Sequence, residues 1–175
     1  MSGPLHLLLD RLSTPIGQMM LVADIAGRLR LAFFAENEDT VHRHLAYQYG
    51  SGKFHLEPAR NPHGLTAALA RYFGGELHAI DDLPVETPGT AFQREVWQAL
   101  RTIPCGATIS YGKLAQQIGH PAAVRAVGTA NGANPVAVVL PCHRVIGADG
   151  SLTGYGGGIE RKRWLLNHEK TPTLF

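Results

Sequence analysis

Residues 110–130 read SYGKLAQQIGHPAAVRAVGTA, and this stretch decides the fold expected for the second half of the chain. Ser110 can cap a first helix, and Gly119 can close it. Pro121 suits the first turn of a second helix, which we expect over residues 122–130. Two short helices joined by a tight turn that contains glycine predict a helix-turn-helix. Helical hairpins that bind nothing can show the same pattern.

The second of these helices is built almost entirely from small residues. They are Ala122, Ala123, Ala126, Gly128 and Ala130. A helix that reads base edges in the major groove usually carries several long polar side chains, whereas this one has only Arg125. Small residues instead let a helix backbone approach the narrow minor groove closely, with one arginine projecting. The alternative is a helix packed tightly against a neighbour.

A third helix is predicted immediately upstream. Thr90 and Gln93 have the spacing of a capping box, in which each side chain satisfies the other residue's backbone N–H. One helical face then follows in the apolar residues Phe92, Val96, Leu100 and Ile103. The proline-containing, acidic segment 81–89 precedes this helix. We therefore expect a domain boundary there, with one domain over residues 1–85 and another over residues 86–175.

The N-terminal half has a mixed α/β pattern. We predict a strand over residues 5–9, a β-hairpin formed by residues 19–23 and 29–34, and helices over residues 38–49 and 65–73. No group of residues in this half suggests chemistry. The fold class is therefore α+β. A small N-terminal domain with an antiparallel sheet precedes a mainly helical C-terminal domain that contains the helix-turn-helix.

Composition narrows the class of protein. The chain has 175 residues, of which 45% are hydrophobic and 17% charged, so it should bury a core. It has neither a membrane-spanning apolar run nor the features of a signal peptide. Its two cysteines, Cys105 and Cys142, are too few for a disulfide framework and lack the spacing of a zinc or redox pair. We expect a cytoplasmic protein with free thiols.

The net charge of +2 conceals an uneven distribution. Residues 1–90 contain seven basic and ten acidic residues, a net charge of −3, whereas residues 91–175 contain nine and four, a net charge of +5. A basic half favours contact with a polyanion such as nucleic acid. Charge that simply fluctuates along the chain is the alternative interpretation.

The sequence PCHRV at residues 141–145 is the strongest candidate for chemistry. It follows residues 136–140, VAVVL, which predict a buried strand or extended segment. A thiol attacks as the thiolate, and a nearby imidazole can take its proton. His143 would need a bend or a bridging water to act on Cys142, and Glu169 is the candidate carboxylate to orient it. A buried cysteine can also be inert packing; Cys105, which has no local base, is read as structural.

PCHRV resembles the active-site signature of the O6-alkylguanine-DNA alkyltransferases. The resemblance covers about the last 85 residues strongly and the N-terminal half more loosely. Further matching blocks, in the family's order and spacing, are FQREVW at 92–97, RAVG at 125–128, Asn134-Pro135, Gly154-Tyr155 and WLLNHE at 164–169.

The resemblance implies catalytic roles for five residues. Cys142 would be the nucleophile, and His143 would deprotonate it through a water while Glu169 holds the imidazole. Asn134 resembles the family's hinge asparagine. Tyr111 is similar to the tyrosine that gives a proton to the departing guanine. Lys162 also matches the family pattern, with helix packing or electrostatics near the site as its role.

The resemblance also implies that the damaged base is flipped out of double-stranded DNA from the minor groove, largely without reading sequence. Arg125 would fill the vacated place in the base stack. Further DNA contacts are implied for Tyr111, Gln93, His120, Ala123 and Ala126. The base pocket would contain Tyr155, Gly156, Gly157 and Val145. Gly156 replaces the Ser or Ala of some members, so a hydroxyl for the O6 atom is missing.

No cofactor or metal site is expected. Some family members hold a structural zinc in the N-terminal half, but no cysteine precedes Cys105 here and the nine histidines are scattered. The protein itself would accept the alkyl group, so each molecule should act once. We expect a monomer in solution without membrane contact. Cooperative binding along DNA, the preferred alkyl group and activity on O4-alkylthymine stay open.

Three other functions compete with this hypothesis. A damage sensor without transfer would lack the signature cysteine, which is present as Cys142. A helix-turn-helix regulator would bind one sequence preferentially, which the alanine-rich second helix does not favour. A Cys-His hydrolase would need an oxyanion hole and would turn over many times.

Overall fold

The computed structural model describes residues 3–170. The chain divides into two compact units, Met1–Gly89 and Thr90–Phe175. The division lies four residues beyond the boundary expected from the sequence, at the start of the capped helix. That the two units are independent folding domains stays a prediction. Within the described residues, no helix has both the length and the apolar character required to cross a membrane.

The first unit contains a four-stranded sheet. Its strands are β1 (Leu5–Thr14), β2 (Gly17–Asp24), β3 (Leu29–Phe34) and β4 (Phe54–Pro58), in the order β3-β2-β1-β4. The predicted hairpin of β2 and β3 is confirmed. The sheet is mixed rather than wholly antiparallel, because β4 pairs with β1 in parallel. No sequence pattern predicted β4, in which no residue is fully buried and exposure does not alternate regularly.

Two helices accompany this sheet, with the bounds predicted from the sequence. They are α1 (Glu38–Tyr49) and α2 (Leu65–Phe73). The Asn37 side chain caps α1 by accepting a hydrogen bond from the Thr40 N–H. Val41 and Leu45 of α1 are buried in one apolar cluster with strand residues Leu7, Leu9, Met20, Val22 and Leu31. The inward face of α1 therefore forms part of the core of this unit.

The second unit is mainly helical. It contains α3 (Ala91–Leu100), α4 (Tyr111–Gln117), α5 (Val124–Gly132) and α6 (Ile159–Lys170), with a short parallel pair of strands, β5 (Ile109–Ser110) and β6 (Val145–Ile146). Both bonds of the predicted Thr90–Gln93 capping box are present. The buried Trp97 indole N–H donates to the Ala130 carbonyl at 2.8 Å, which ties α3 to α5. The helix-turn-helix of α4 and α5 thus packs on α3.

Two predicted elements differ from the structure. Helix α5 begins at Val124, two residues later than expected, because residues 121–123 form a turn in which the Ala123 N–H donates to the His120 carbonyl. Residues 136–140 are not extended. They are almost fully buried, as expected, but the Val139 N–H donates to the Ala137 carbonyl at 2.9 Å across Val138, which has a φ of 74°. The apolar run is therefore a tight turn.

Candidate active site and nucleic-acid interface

The chain bends sharply where it enters the candidate active site. Pro141 has φ −80° and ψ 66°, and the Cys142 N–H donates to the Leu140 carbonyl at 2.8 Å, which is an inverse γ-turn. A single 3-10 turn, Cys142–Arg144, follows directly. For His143 to act on Cys142, the sequence requires either a bend or a bridging water. The structure shows a bend at this position.

Two asparagines hold this bend in place. The Asn134 side chain accepts from the Val136 N–H at 2.9 Å and donates to the Leu140 carbonyl at 2.7 Å. Asn131, on the buried face of α5, donates from Nδ2 to the Cys142 carbonyl at 3.3 Å. The sequence analysis missed Asn131. A polar residue on the inward face of a helix was the signal that could have identified it.

His143, Glu169 and Arg144 form a buried network. His143 Nε2 lies 2.8 Å from Glu169 Oε2, and both side chains are fully buried. The Arg144 guanidinium donates to both Glu169 oxygens at 2.8 and 3.0 Å, and to the Ile103 carbonyl at 2.8 Å. The expected pairing of His143 with Glu169 is therefore observed, and Arg144 adds a second partner that the sequence did not predict.

The charges in this network define the protonation of His143. Burial tends to raise the pKa of Glu169, but the hydrogen bonds and positive charges of His143 and Arg144 lower it overall. The ionised carboxylate can only accept, so the His143 Nε2 carries the proton. Nδ1 is then the free base, and it is buried without a protein hydrogen-bond partner among residues 3–170. Burial lowers the pKa of His143 despite Glu169, so the ring is neutral near pH 7.

The Cys142 thiol is nearly buried, with 7% of the residue exposed. Burial raises its pKa, while a hydrogen bond with Asn134 and the positive charge of Lys162 oppose that rise. Lys162 lies on α6 and donates to the Val145 and Thr153 carbonyls at 2.7 and 2.9 Å. Because the net effect is a raised pKa, the thiol is protonated at neutral pH and requires a base before it can attack.

Residues of the helix-turn-helix and of the glycine-rich loop at 154–158 together line an open pocket. Its lining residues are Tyr111, Val124, Arg125, Gly128, Thr129, Gly132, Gly154, Tyr155 and Gly156. The Tyr111 hydroxyl donates to the Thr153 carbonyl at 3.1 Å. Burial, and then the nearby Cys142, raise the pKa of Tyr155 well above its usual value, so its phenol stays neutral. A negatively charged Cys142 thiolate would therefore interact electrostatically with Tyr155, which lines the pocket.

A second surface groove runs beside this pocket. It is lined by Phe92, Gln93, Ala122, Ala123, Arg125, Ala126, Thr129 and Ala130. Arg125 lines both the groove and the pocket. The small residues of α5 thus leave an open surface on the described part of the chain, as the minor-groove hypothesis requires. Helix α5 also packs against α3, where the Trp97 indole N–H donates to the Ala130 carbonyl.

The other predicted residues make contacts within the chain or lie outside the pocket, although Gln93 also lines the groove. Gln93 already caps α3 through its side-chain oxygen, which accepts from the Thr90 N–H. His120 lies 3.5 Å from Glu95 and packs edge-on against Phe92. Val145 is fully buried in β6 and is not among the residues that line the pocket. Gly157 is also absent from that lining, and its carbonyl accepts from Arg161.

These features define a helix-turn-helix protein in which the second helix bonds to the backbone of a buried cysteine, beside a buried histidine–carboxylate pair. Residues 91–171 match the family described as 6-O-methylguanine DNA methyltransferase, DNA binding domain. Over 165 residues, the chain is 52% identical to the methylated-DNA–protein-cysteine methyltransferase of Salmonella typhimurium, covering 94% of this chain and 96% of that one. The chain belongs to the methylated-DNA–protein-cysteine methyltransferase family, so the resemblance found in the sequence is confirmed.

Solved structures agree with this assignment. The crystal structure of the Mycobacterium tuberculosis O6-methylguanine methyltransferase is 41% identical, with a TM-score of 0.77 over 95% of this chain and 96% of that one. The Mycobacterium tuberculosis OGT structure in complex with DNA is 44% identical, with a TM-score of 0.77 over 95% and 93%. The predicted α+β fold is confirmed, and this chain is a DNA-binding protein.

Proposed function

We propose that this protein repairs O6-alkylguanine in double-stranded DNA by moving the alkyl group irreversibly to Cys142. The observation that supports this most directly is the buried Cys142–His143–Glu169 arrangement at the bend that follows Asn134. The thiol has a raised pKa, and the neighbouring imidazole is held neutral with one ring nitrogen free to accept a proton. This combination suits a nucleophile that is activated only when substrate is in place.

The proposed reaction is a displacement at the alkyl carbon. The proton of the Cys142 thiol passes through a water to His143 Nδ1, and Glu169 stabilises the resulting imidazolium. The sulfur forms a bond to the alkyl carbon as the bond from that carbon to O6 breaks, with its electron pair going to the guanine. Tyr111 donates a proton to the departing base and is reprotonated through solvent, to which the His143 imidazolium then releases its proton. The net change moves the thiol proton to guanine and leaves a thioether on Cys142.

The target base must leave the double helix before this reaction. Flipping costs a few kcal/mol of lost stacking, and we propose that Arg125 fills the vacated position. Its position in the lining of both the pocket and the groove supports this role, and it is the long, charged side chain that the two linings share. We propose that the small-residue surface formed by Ala126 of α5 and by Ala123, which immediately precedes the helix, enters the minor groove. Contacts would then be mostly to phosphates, largely independent of sequence and weakened by salt. Binding as a monomer and a cytoplasmic location also stay predictions.

Mass spectrometry tests the transfer. The purified protein is mixed with duplex DNA that carries one O6-methylguanine, and its intact mass and peptide map are measured. We expect one methyl group per molecule, located on Cys142. The Cys142→Ala variant should gain none, whereas the matched control Cys105→Ala should react like the unmodified protein.

Two results would contradict the proposal. Binding without any gain in mass would favour the damage sensor. Release of many product molecules per protein would favour an enzyme with true turnover.

A further inference from the structure

The parallel pairing of β1 and β4 places two histidines side by side. His6 of β1 lies directly opposite His55 of β4 in the register. Glu57 is two residues further along β4, so it projects from the same face of the sheet as His55. These residues appear scattered in the sequence, and only the strand pairing brings them together.

The three side chains are arranged like an incomplete metal site. His6 Nε2 lies 2.6 Å from Glu57 Oε1, and the two imidazole rings are 5.3 Å apart at an interplanar angle of 77°. One ligand atom from each residue falls within 4.8 Å of the others, and this is the only such group found among residues 3–170. Zinc bonds to nitrogen and oxygen are about 2.0–2.2 Å long. Two ligand atoms of a tetrahedral ion are therefore roughly 3.4 Å apart, a separation that small rotations of these side chains can reach.

We propose that His6, His55 and Glu57 form a surface site for a divalent transition-metal ion of the Zn²⁺ type. Two imidazoles and one carboxylate are typical ligands for such ions, whereas Mg²⁺ and Ca²⁺ prefer oxygen alone. The metal would replace the proton shared by His6 and Glu57, and water would complete its coordination. His6 and Glu57 are 43% and 47% exposed, so little desolvation opposes binding.

A bound ion would connect β1 to β4, which is one of the two edge strands of the sheet. Any ligand that binds only the folded chain stabilises it by a free energy that grows with the logarithm of the ligand concentration above Kd. The effect would therefore be a metal-dependent rise in the melting temperature of the protein. This site is separate from the alkyl transfer proposed above, because none of its residues takes part in that reaction.

Isothermal titration calorimetry of the 175-residue chain with ZnCl₂ tests the site. We expect one ion per chain and a Zn²⁺-dependent rise in melting temperature. His6→Gln, His55→Gln and Glu57→Gln should each weaken binding by at least roughly tenfold, as is common when metal coordination is disturbed. His78→Gln is the matched control, since His78 is an exposed histidine paired with the single carboxylate of Asp81, and it should bind like the unmodified protein.

The Cys142 thiol could also attract zinc, so the titration is repeated with Cys142→Ala. Unchanged stoichiometry and affinity in that variant would support the sheet site. The proposal is overturned by an absence of binding, by binding that survives both histidine substitutions, or by binding that disappears only with Cys142→Ala. Methyl transfer by His6→Gln and His55→Gln should stay normal, so failure of the metal site and failure of the repair function are distinguishable.

Discussion

The protonation of His143 depends on a few contacts. Glu169 accepts a hydrogen bond from the Nε2–H, and Arg144 keeps that carboxylate ionised through two further hydrogen bonds. Burial keeps the ring neutral, so its Nδ1 can accept a proton when the thiol reacts. At the residue scale, activation of Cys142 therefore requires both a correctly oriented imidazole and a fixed negative partner behind it.

Replacing His143 by Gln should slow methyl transfer by roughly 10²–10⁴-fold near neutral pH, which is the usual contribution of a general base. The remaining rate should rise with pH, because hydroxide can then take the proton of the Cys142 thiol. Rates are measured by rapid mixing with O6-methylguanine duplex across pH 6–9, with His78→Gln as control. A variant with the rate and pH profile of the unmodified protein would exclude His143 as the base.

Substitutions at Gly156 test whether a hydroxyl at this position would strengthen binding of the damaged base. A Cβ added there meets no atom within 4 Å, so Ser and Ala should both be accommodated. If a serine hydroxyl bonds the base, Gly156→Ser should bind damaged duplex roughly five- to tenfold more tightly than Gly156→Ala, which corresponds to about 1 kcal/mol for one hydrogen bond. Equal affinities, measured by fluorescence anisotropy in the Cys142→Ala background, would mean that the backbone suffices.

At the scale of elements, the segment before Cys142 is held in an unfavourable conformation. Val138 has a φ of 74°, which is a rare outlier for a β-branched residue. Its side chain is nevertheless fully buried, and the Asn134 hydrogen bonds close the turn on either side. Packing and hydrogen bonding thus impose a conformation that delivers Cys142 to the bend.

Two matched substitutions measure this strain. Val138→Gly and Val139→Gly remove the same side chain from almost equally buried positions, at 0% and 4% exposure. Glycine accepts positive φ freely, so only Val138→Gly should recover the strain energy. We expect it to destabilise the protein less than Val139→Gly by about 1–3 kcal/mol in urea unfolding. Equal losses would show that the turn is unstrained.

Substitution of Arg125 tests whether helix α5 helps to flip the damaged base. If this side chain stabilises the flipped state, Arg125→Ala should slow transfer from a duplex but leave the reaction with free O6-methylguanine base unchanged. Arg163→Ala, on α6, removes the same charge and serves as the control. An equal loss with both substrates would instead place Arg125 in the chemistry or in folding.

For the whole molecule, the same buried groups predict sensitivity to acid. The pKa of His143 is lowered on folding, so below its usual value of about 6.5 the unfolded chain binds a proton that the folded chain does not. Stability is therefore complete above that pH and falls as the pH decreases, with a slope approaching about 1.4 kcal/mol per pH unit. Glu169, whose pKa is also lowered, adds a further loss below its unfolded value, near pH 4.3.

Tryptophan fluorescence can follow this loss of stability. Both tryptophans, Trp97 and Trp164, lie in the second unit, which also contains His143 and Glu169. We expect the free energy of unfolding from urea titrations to be nearly constant between pH 7 and 8 and to decrease at pH 6 and 5. His143→Gln should reduce the slope that begins near pH 6.5, and the lowered pKa of His44 should account for what remains there. A slope unchanged by that substitution would assign it to other groups.

The sequence by itself determined the features that depend on neighbouring residues. The Thr90–Gln93 box and the Ser110 cap act within one helical turn, and the bounds of α1 and α2 follow from apolar spacing and glycine. The small-residue face of α5 and the Cys142-His143 pair were also visible in the chain. Local signals of this kind predicted the helix-turn-helix, the nucleophile and the family.

Only the tertiary structure decided which distant residues meet. Arg144 reaches Glu169 across 25 residues, and His6 reaches Glu57 across 51 through a parallel pairing that left no local signal. Residues 136–140 were misread because a short apolar run predicts burial but cannot distinguish a strand from a buried turn. Such contacts arise from packing between elements, whose free energy depends on the whole fold and not on adjacent residues.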